Sequence, residues 1–407
     1  MKNKKIVYVA PSLDVSGGIA IILQHANRLT KIGYDVKLLN IGPAVSEIDW
    51  FVNDVPILNS KDLLDAGKFD IVIATHYSTV KFVKKINSSR KIYFVQSDER
   101  RFDIDNIKSI AECEASYHEN FEYMTEAIWI QRWLKEEFGH DAYYIPNGLD
   151  SELIHKTNLI EKKIKKIRVL LEGPIDIEWK GMADAYNAVK DLDCELWIVS
   201  SHGNLKDGWV CDKFFHRVAF DKMKEIYSSC DIFIKMSRVE GFFGPPMEAM
   251  ACECAVIVGK VTGYDEYIVN EYNALVVDAG DVNAAKNAVK RLIEDDDLRA
   301  KLILNGKITA SQWTWDKSIS LLEDIFNNPH IDKYYTEFFP EKYKYNDVIK
   351  KILLDVAIVD NDNLKLSRET IFQKNSEIAI LNDEISLIKS SKFWKIRNFY
   401  MKITGKI

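Results

Sequence analysis

Twice along this chain, short apolar runs alternate with amphipathic stretches of helical period, and the turn Pro146-Asn147-Gly148-Leu149-Asp150 separates the two series. Buried strands alternating with helices give parallel sheets covered by helices on both faces, so the pattern alone dictates an α/β protein. The first series predicts strands at Lys5–Ala10, Val36–Asn40, Asp70–Thr75, Lys91–Gln96 and Tyr143–Ile145, with helical patterns at Ile19–Ile32 and Tyr123–Phe138. A charged stretch, Glu161 to Lys166, reads as a solvated connection. The second series predicts strands at Arg168–Glu172, Cys194–Ser200, His216–Phe220, Asp231–Met236, Ala255–Gly259 and Ala274–Asp278. Its helices are expected at Met182–Leu192, Asp221–Cys230, Pro246–Cys252 and Val282–Asp295. Two doubly wound domains in tandem follow, and ligands in such sheets bind beyond the carboxyl ends of the strands.

A length of 407 residues also exceeds one ordinary core, and 47% hydrophobic with 29% charged residues marks a globular chain. A net charge of −6 argues against a nucleic-acid binder. The apolar run Ile6 to Ala10 is too short for a signal-peptide core, and no run approaches the roughly 18 apolar residues of a membrane span. The six cysteines are scattered, with only Cys252 and Cys254 close, and read as reduced, buried thiols of a cytoplasmic protein. No metal site is expected.

Beyond Lys342 the character is helical without strands. Leu364, Ile371, Ile378 and Ile385 recur every seven residues, with Leu381 and Ile388 between them. Residues 364–388 thus read as a short coiled coil joining copies of the chain, or as a plain amphipathic helix, since Ser367 and Lys374 interrupt the seam. Over residues 389–407, Lys389, Lys392, Lys395 and Arg397 interleave with Phe393, Trp394, Phe399 and Tyr400, and no acidic residue follows Glu384. A basic helix with aromatics on its apolar side suits an anionic membrane surface; a solvated terminal helix is the plainer alternative.

Two segments carry chemistry. After the strand Lys5–Ala10, Gly17 and Gly18 precede a helix. That geometry lets backbone N–H groups approach an anion, though it equally serves a tight turn. The segment Asp231–Cys252 reads as buried strand, loop, then helix, with Glu240 past the strand and Glu248 in the first turn of the helix. Gly241 and Gly244 keep the loop open, Phe242 and Phe243 lie within it, and Pro245-Pro246 suits a helix start. Two carboxylates flanking such a loop suit vicinal sugar hydroxyls, and the loop itself suits a diphosphate.

This segment resembles the Glu-x7-Glu motif of retaining GT-B glycosyltransferases of family 4. Further likenesses over residues 5–330 are Gly17-Gly18, Asn147-Gly148-Leu149-Asp150, Lys180-Gly181, Gly263 to Glu266, Gly280-Asp281 and Trp313-Thr-Trp315. The resemblance implies an N-terminal Rossmann-like acceptor domain (1–155), a C-terminal Rossmann-like nucleotide-sugar domain (156–330), a crossing helix region (331–360, helix Asp332–Leu354) and a coiled-coil-like, basic tail (361–407). It implies Glu248 on the ribose hydroxyls, Glu240 on the donor sugar, Lys180 on the diphosphate, and backbone N–H donors near Gly18. Retention without metal or cofactor, the donor being the substrate itself, is implied as well.

The sequence departs from the family where Glu172-Gly173-Pro174 replaces a customary arginine, with Arg238 as a candidate substitute. It departs again where Val95-Gln96-Ser97-Asp98-Glu99 replaces a histidine segment. The run Gln96 to Phe102 is faintly similar to rhamnosyltransferases. Gln96, Glu99 and His76 are expected to contact the acceptor or the sugar. The implied function is transfer of a sugar from a nucleotide-diphosphate donor to a bacterial surface polysaccharide or lipid-linked glycan, peripheral to the inner face of the membrane. A GT-B nucleotide-sugar epimerase and a non-catalytic glycan-binding assembly protein remain as alternatives; a phosphorylase would need a pyridoxal lysine segment, and none is evident.

Overall fold

The computed structural model describes residues 4–60, 68–102, 106–158, 160 and 166–328. The described residues all belong to one compact unit, Met1–Tyr334. The expected crossing helix Asp332–Leu354 and the tail lie outside the described residues.

Seven strands of the first lobe form one parallel sheet: β1 (Lys5–Ala10), β2 (Asp35–Asn40), β3 (Ile57–Asn59), β4 (Phe69–Ala74), β5 (Ser88–Val95), β6 (Glu122–Thr125) and β7 (Ala142–Tyr144). Their order is β3-β2-β1-β4-β5-β6-β7, so the winding reverses between β1 and β4. Helices α1 (Gly17–Lys31), α2 (Tyr77–Val83), α3 (Ile107–Tyr117) and α4 (Ile128–Phe138) cover it. The second sheet is built from β8 (Arg168–Glu172), β9 (Glu195–Ser200), β10 (Lys213–His216), β11 (Ile232–Lys235), β12 (Ala255–Lys260) and β13 (Leu275–Asp278). Its order is β10-β9-β8-β11-β12-β13, with the reversal between β8 and β11. Its helices are α5 (Met182–Val189), α6 (Phe220–Ser228), α7 (Gly244–Ala251), α8 (Val282–Glu294) and α9 (Asp296–Ser311).

Central strands are apolar along nearly their whole length because helices cover both faces. Ile6 to Ala10 and Glu195 to Ser200 are buried without alternation. Two apolar layers therefore flank the second sheet, one holding Leu170, Trp197, Phe233 and Met250, the other Val169, Ile198, Ile234 and Val289.

Two expectations need correction, and one strand is additional. Tyr123–Phe138 is not one helix: Glu122–Thr125 pairs in parallel between β5 and β7, and the helix starts only at Ile128. The strand expected at His216–Phe220 is Lys213–His216, and Phe220 already opens α6. The short β3 had no counterpart in the sequence reading.

The last helix among the described residues, α10 (Trp315–Asn327), packs on the first lobe. Leu149 N donates to Trp313 O at 2.9 Å, and Arg90 Nη1 donates to Ile325 O at 2.9 Å. Trp315 meets His25 of α1 edge-on with ring centres 5.6 Å apart. The helix thus clamps the junction between the lobes from behind.

Candidate functional site

The loop that follows β11, beside the winding reversal of the second sheet, meets the loops that follow β5 and β6 of the first lobe. Strand β11 ends at Lys235, and the loop that follows carries Glu240 and Gly241 toward the first lobe. Gly241 is required there, because a Cβ would land on the Gln96 carbonyl oxygen beyond β5 and 3.1 Å from Glu126 Oε1 beyond β6. Phe242 N donates to Glu126 Oε1 at 3.2 Å. The Glu240 loop is therefore pressed against the first lobe by its backbone.

Glu240 is buried, with 8% of its surface exposed. Its Oε2 accepts from Lys180 Nζ at 2.8 Å, while Oε1 is buried without a partner. Burial alone would raise its pKa, but the ammonium groups of Lys180 and then Lys235 outweigh that and hold the carboxyl below its ordinary range. Lys180 ends the 3-10 turn Glu178–Lys180, and Gly181 follows at φ +67°. A Cβ at Gly181 would collide with the Met236 carbonyl, so glycine lets this turn sit against the β11 exit loop and aims Lys180 at Glu240.

Pro245 and Pro246 occupy the start of α7, as expected, but Glu248 is the helix's fifth residue. It lies in the second turn rather than the first. Its Oε2 accepts from Tyr227 Oη of α6 at 3.1 Å. Burial, then the neighbouring Glu172 charge, pushes the Glu248 carboxyl up to about 7 against the opposing pull of Tyr227 and Lys235. Phe243 is fully buried among core residues, so its side chain packs rather than binds, and Phe242 stacks near Tyr267 and Trp313.

In the first lobe, Gly17 and Gly18 are the first two residues of α1, capped by Ser16 Oγ accepting from Ile19 N at 3.2 Å. A Cβ on Gly18 would stand 3.1 Å from Gln96 Oε1, an atom that is itself buried without a partner. Beyond β4, His76 caps α2, and its Nε2 lies 3.8 Å from Glu99 Oε1. Burial pushes Glu99 up to about 8 and holds His76 down at about 4. Glu126 is pushed up to about 7 by burial, and the Glu240 charge adds to the rise; its Oε2 accepts from Asn147 Nδ2 at 3.0 Å.

Glu240, Lys180, Gly241, Gln96 and Gly18 thus form one linked cluster between the lobes, while Glu248 meets Tyr227 of α6. His76 and Glu99 form a second group beside Gln96, whose Nε2 donates to Thr75 O at 3.4 Å. Arg238 points elsewhere: its Nη2 pairs with Asp184 of α5 at 2.7 Å, with 43% of its side chain exposed. Sequence reasoning missed Lys235, Glu172, Glu126 and Glu266. Lys235 had a visible signal, a lysine closing an apolar run that reads as a fully buried strand. Among the described residues, no cluster of His, Cys, Asp or Glu is arranged to hold a metal ion.

Residues 213–309 match the family described as glycosyl transferases group 1. An O-antigen chain mannosyltransferase, RfbU of Salmonella typhimurium, is 25% identical over 66% of this chain and 79% of its own length. An uncharacterized glycosyltransferase of Methanocaldococcus jannaschii is 26% identical over 45% of this chain, which spans 57% of that relative. The chain spans 51% of CapM, a capsular polysaccharide biosynthesis glycosyltransferase of Staphylococcus aureus, so it covers about half the length of several curated relatives it matches. Sucrose-phosphate synthase from Thermosynechococcus elongatus superposes with TM-score 0.67 at 15% identity, over 80% of this chain and 99% of that one. HepE of Anabaena, solved with UDP and glucose, superposes with TM-score 0.64 at 15% identity over 80% and 100%. The fold is GT-B: two parallel-sheet Rossmann-like lobes with helices.

Proposed function

We propose that the chain transfers a sugar from a nucleoside-diphosphate donor to a glycan acceptor, with retention at the anomeric carbon. The observation that carries this reading is Glu240: a buried, charged carboxylate with one oxygen on Lys180 and the other without a partner, facing the interlobe cluster. A buried acceptor atom lacking a donor is costly, and a sugar hydroxyl supplies the missing O–H. Unpartnered Gln96 Oε1 and Asn147 Oδ1 in the neighbouring loops have the same need.

Each pocket residue then has a task. Glu248 accepts from the ribose hydroxyls, and Lys180 meets the diphosphate as negative charge develops on it. N–H groups at the start of α1 add to that field. The bond from the anomeric carbon to the diphosphate oxygen breaks, and its electron pair stays on that oxygen. The acceptor oxygen bonds to the same face of the carbon, and its proton passes to the departing phosphate. No metal or cofactor has a part in this scheme, because ammonium groups supply the positive charge.

The Salmonella and Staphylococcus relatives are named for O-antigen and capsule synthesis. A Campylobacter jejuni relative, 34% identical over 89 residues, is named for transfer onto a diphospho-undecaprenol carrier. Those names support a bacterial surface polysaccharide or lipid-linked glycan as acceptor, and the basic, aromatic sequence of 389–407 supports action at the inner face of a membrane. Binding of UDP, GDP and dTDP and of their sugars, followed by a transfer assay, tests the reading. Glu240→Ala and Lys180→Ala are expected to lower transfer at least 100-fold; full activity in both would overturn it.

A further inference from the structure

Trp179 has no task in the scheme above, yet it stands directly before Lys180, the cation that the scheme assigns to the diphosphate. Lys180 Nζ lies 4.5 Å from the centre of the Trp179 ring while it donates to Glu240 Oε2 at 2.8 Å. From the first lobe, Phe102 stacks on the same indole, with ring centres 5.0 Å apart and planes 13° apart. Phe102 follows the 3-10 turn Glu99–Arg101, and Arg101 Nη1 of that turn also crosses to the second lobe, donating to Thr262 Oγ1 at 2.9 Å. The backbone around Trp179 is tied instead to the loop that leaves β11. Arg238 N donates to Trp179 O at 2.8 Å, and Ser237 Oγ donates to Lys180 O at 3.5 Å.

Those backbone contacts fix the Cα of Lys180 but not its ammonium. A lysine carries its charge on a flexible four-carbon stem, which the backbone does not aim. The face of an indole attracts an ammonium, and more strongly where water is thinned out. Only 19% of the Lys180 side chain and 9% of the Glu240 side chain are exposed, so the attraction acts at a partly dry site. The ring also differs in kind from Glu240. A diphosphate arriving beside Glu240 competes with that carboxylate for the ammonium, whereas the ring carries no charge and holds the ammonium in either case. With the ammonium and Phe102 both against it, the indole serves the lysine rather than stacking on a sugar ring.

We propose that Trp179 is the positioning residue for Lys180, and that Phe102 of the first lobe sets the indole, so that bringing the lobes together orders the ammonium. The diphosphate as the target of that ammonium rests on the function proposed above; the aiming of Lys180 by the ring does not.

The placement is read directly from the full chain carrying lysine labelled with carbon-13 at the ε carbon, with Lys180→Arg used to assign the signal. Protons held over an indole face resonate upfield. Trp179→Leu is expected to return the Lys180 ε-proton signal to the ordinary lysine position, Trp179→Phe to keep part of the upfield shift, and Phe102→Leu to move the signal the same way as Trp179→Leu but less far. A Lys180 signal that stays in place in Trp179→Leu overturns the proposal. Should Trp179→Leu fail to fold, Phe102→Leu decides: movement of the Lys180 signal supports the proposal, and none overturns it. In a transfer assay, Trp179→Leu is expected to lower kcat roughly 10-fold, the order of one cation–π contact, with a smaller change in KM for the donor. Trp179→Phe should restore most of that loss, because it keeps a ring face. A tryptophan that only packs between the lobes would leave the Lys180 signal where it is and gain nothing from the phenylalanine. If the parent chain binds none of UDP, GDP and dTDP, the transferase reading fails, while the Lys180 signal still judges Trp179.

Discussion

At the residue scale, the unusual feature is how many carboxyls are buried with too few cations. Glu99 and Glu266 are pushed up to about 8, and Glu126 and Glu248 to about 7, with burial as the largest cause in each. A carboxyl whose folded pKa lies above its unfolded value binds a proton in the folded state that the unfolded chain releases. Stability therefore falls as pH rises through the interval between the two values. His25 and His76, held by burial at about 3 and about 4, act the other way, but only below their ordinary value of 6.5. The window from about 6.5 to 8 belongs to the carboxyls. Each contributes at most ~1.4 kcal/mol per pH unit there. Melting temperature is expected to drop across this window, and Glu99→Gln should flatten the drop. A melting temperature that climbs from pH 6.5 to 8 would contradict the assignment. Most of these residues were invisible as a group in the sequence. Glu240 and Glu248 could be found because glycines, prolines and a strand end surround them, whereas Lys180 was named by the family resemblance alone. Glu126 carries no such local mark, and only the fold brings it to Gly241; Glu172 closes a strand before Gly173-Pro174, yet nothing local says that its carboxylate meets Lys235.

At the element scale, α4 begins without a cap of its own. Ala127 stands at its N-cap and offers no side-chain acceptor. The cap comes from the other lobe: Glu266 Oε1 accepts from Ile128 N, and its Oε2 accepts from Tyr144 Oη at 3.0 Å. Trp129 of the same turn donates its indole N–H to Gly241 O at 2.9 Å. A helix that needs an acceptor from across a domain boundary reports whether the lobes are closed. Glu266→Ala removes the acceptor from Ile128 and orphans the Tyr144 hydroxyl, so a loss of about 1–3 kcal/mol is expected in a denaturant titration. Glu266→Gln keeps an acceptor and carries no charge, and it should equal the parent chain near pH 6 and exceed it at pH 8. Equal stability of all three chains at pH 6 would show that the cap contributes nothing. This arrangement also explains where the sequence misled. Tyr123–Phe138 has a continuous helical period, yet its first residues fill the gap between β5 and β7. Strand pairing in the sheet overrode local preference, and Ala127 gave no N-cap signal for the true helix start. The shift of β10 to Lys213–His216 has the same root, since a short edge strand carries little periodicity.

At the scale of the whole molecule, the described lobes meet at several points besides the Glu240 cluster. Phe102 stacks on Trp179 with ring centres 5.0 Å apart, and Arg101 Nη1 donates to Thr262 Oγ1 at 2.9 Å. Phe220 N donates to Trp50 O at 3.3 Å, and Phe51 packs on Phe220. Behind the pocket, α10 ties the exit of the first lobe to α1 through Trp315. At the Glu240 cluster, Gly241 meets the Gln96 carbonyl with no room for a methyl group. Backbone cannot yield as a flexible side chain can, so a methyl there must push the lobes apart or displace the Glu240 loop. Gly241→Ala therefore separates two roles that any substitution of Glu240 confounds. It removes no charged group and acts only through the distance between the lobes or the path of the Glu240 loop. On the proposed function, the expected result is a larger radius of gyration by X-ray scattering and nucleotide binding near the parent level, because the substitution touches none of the side chains assigned to the donor. Sugar transfer should fall at least 10-fold, because the Gln96 side of the pocket no longer reaches the reacting carbon. Unchanged scattering together with unchanged transfer would mean that the contact between Gly241 and Gln96 is not part of the working enzyme. Unchanged scattering with lost transfer would place the effect in the loop rather than in closure.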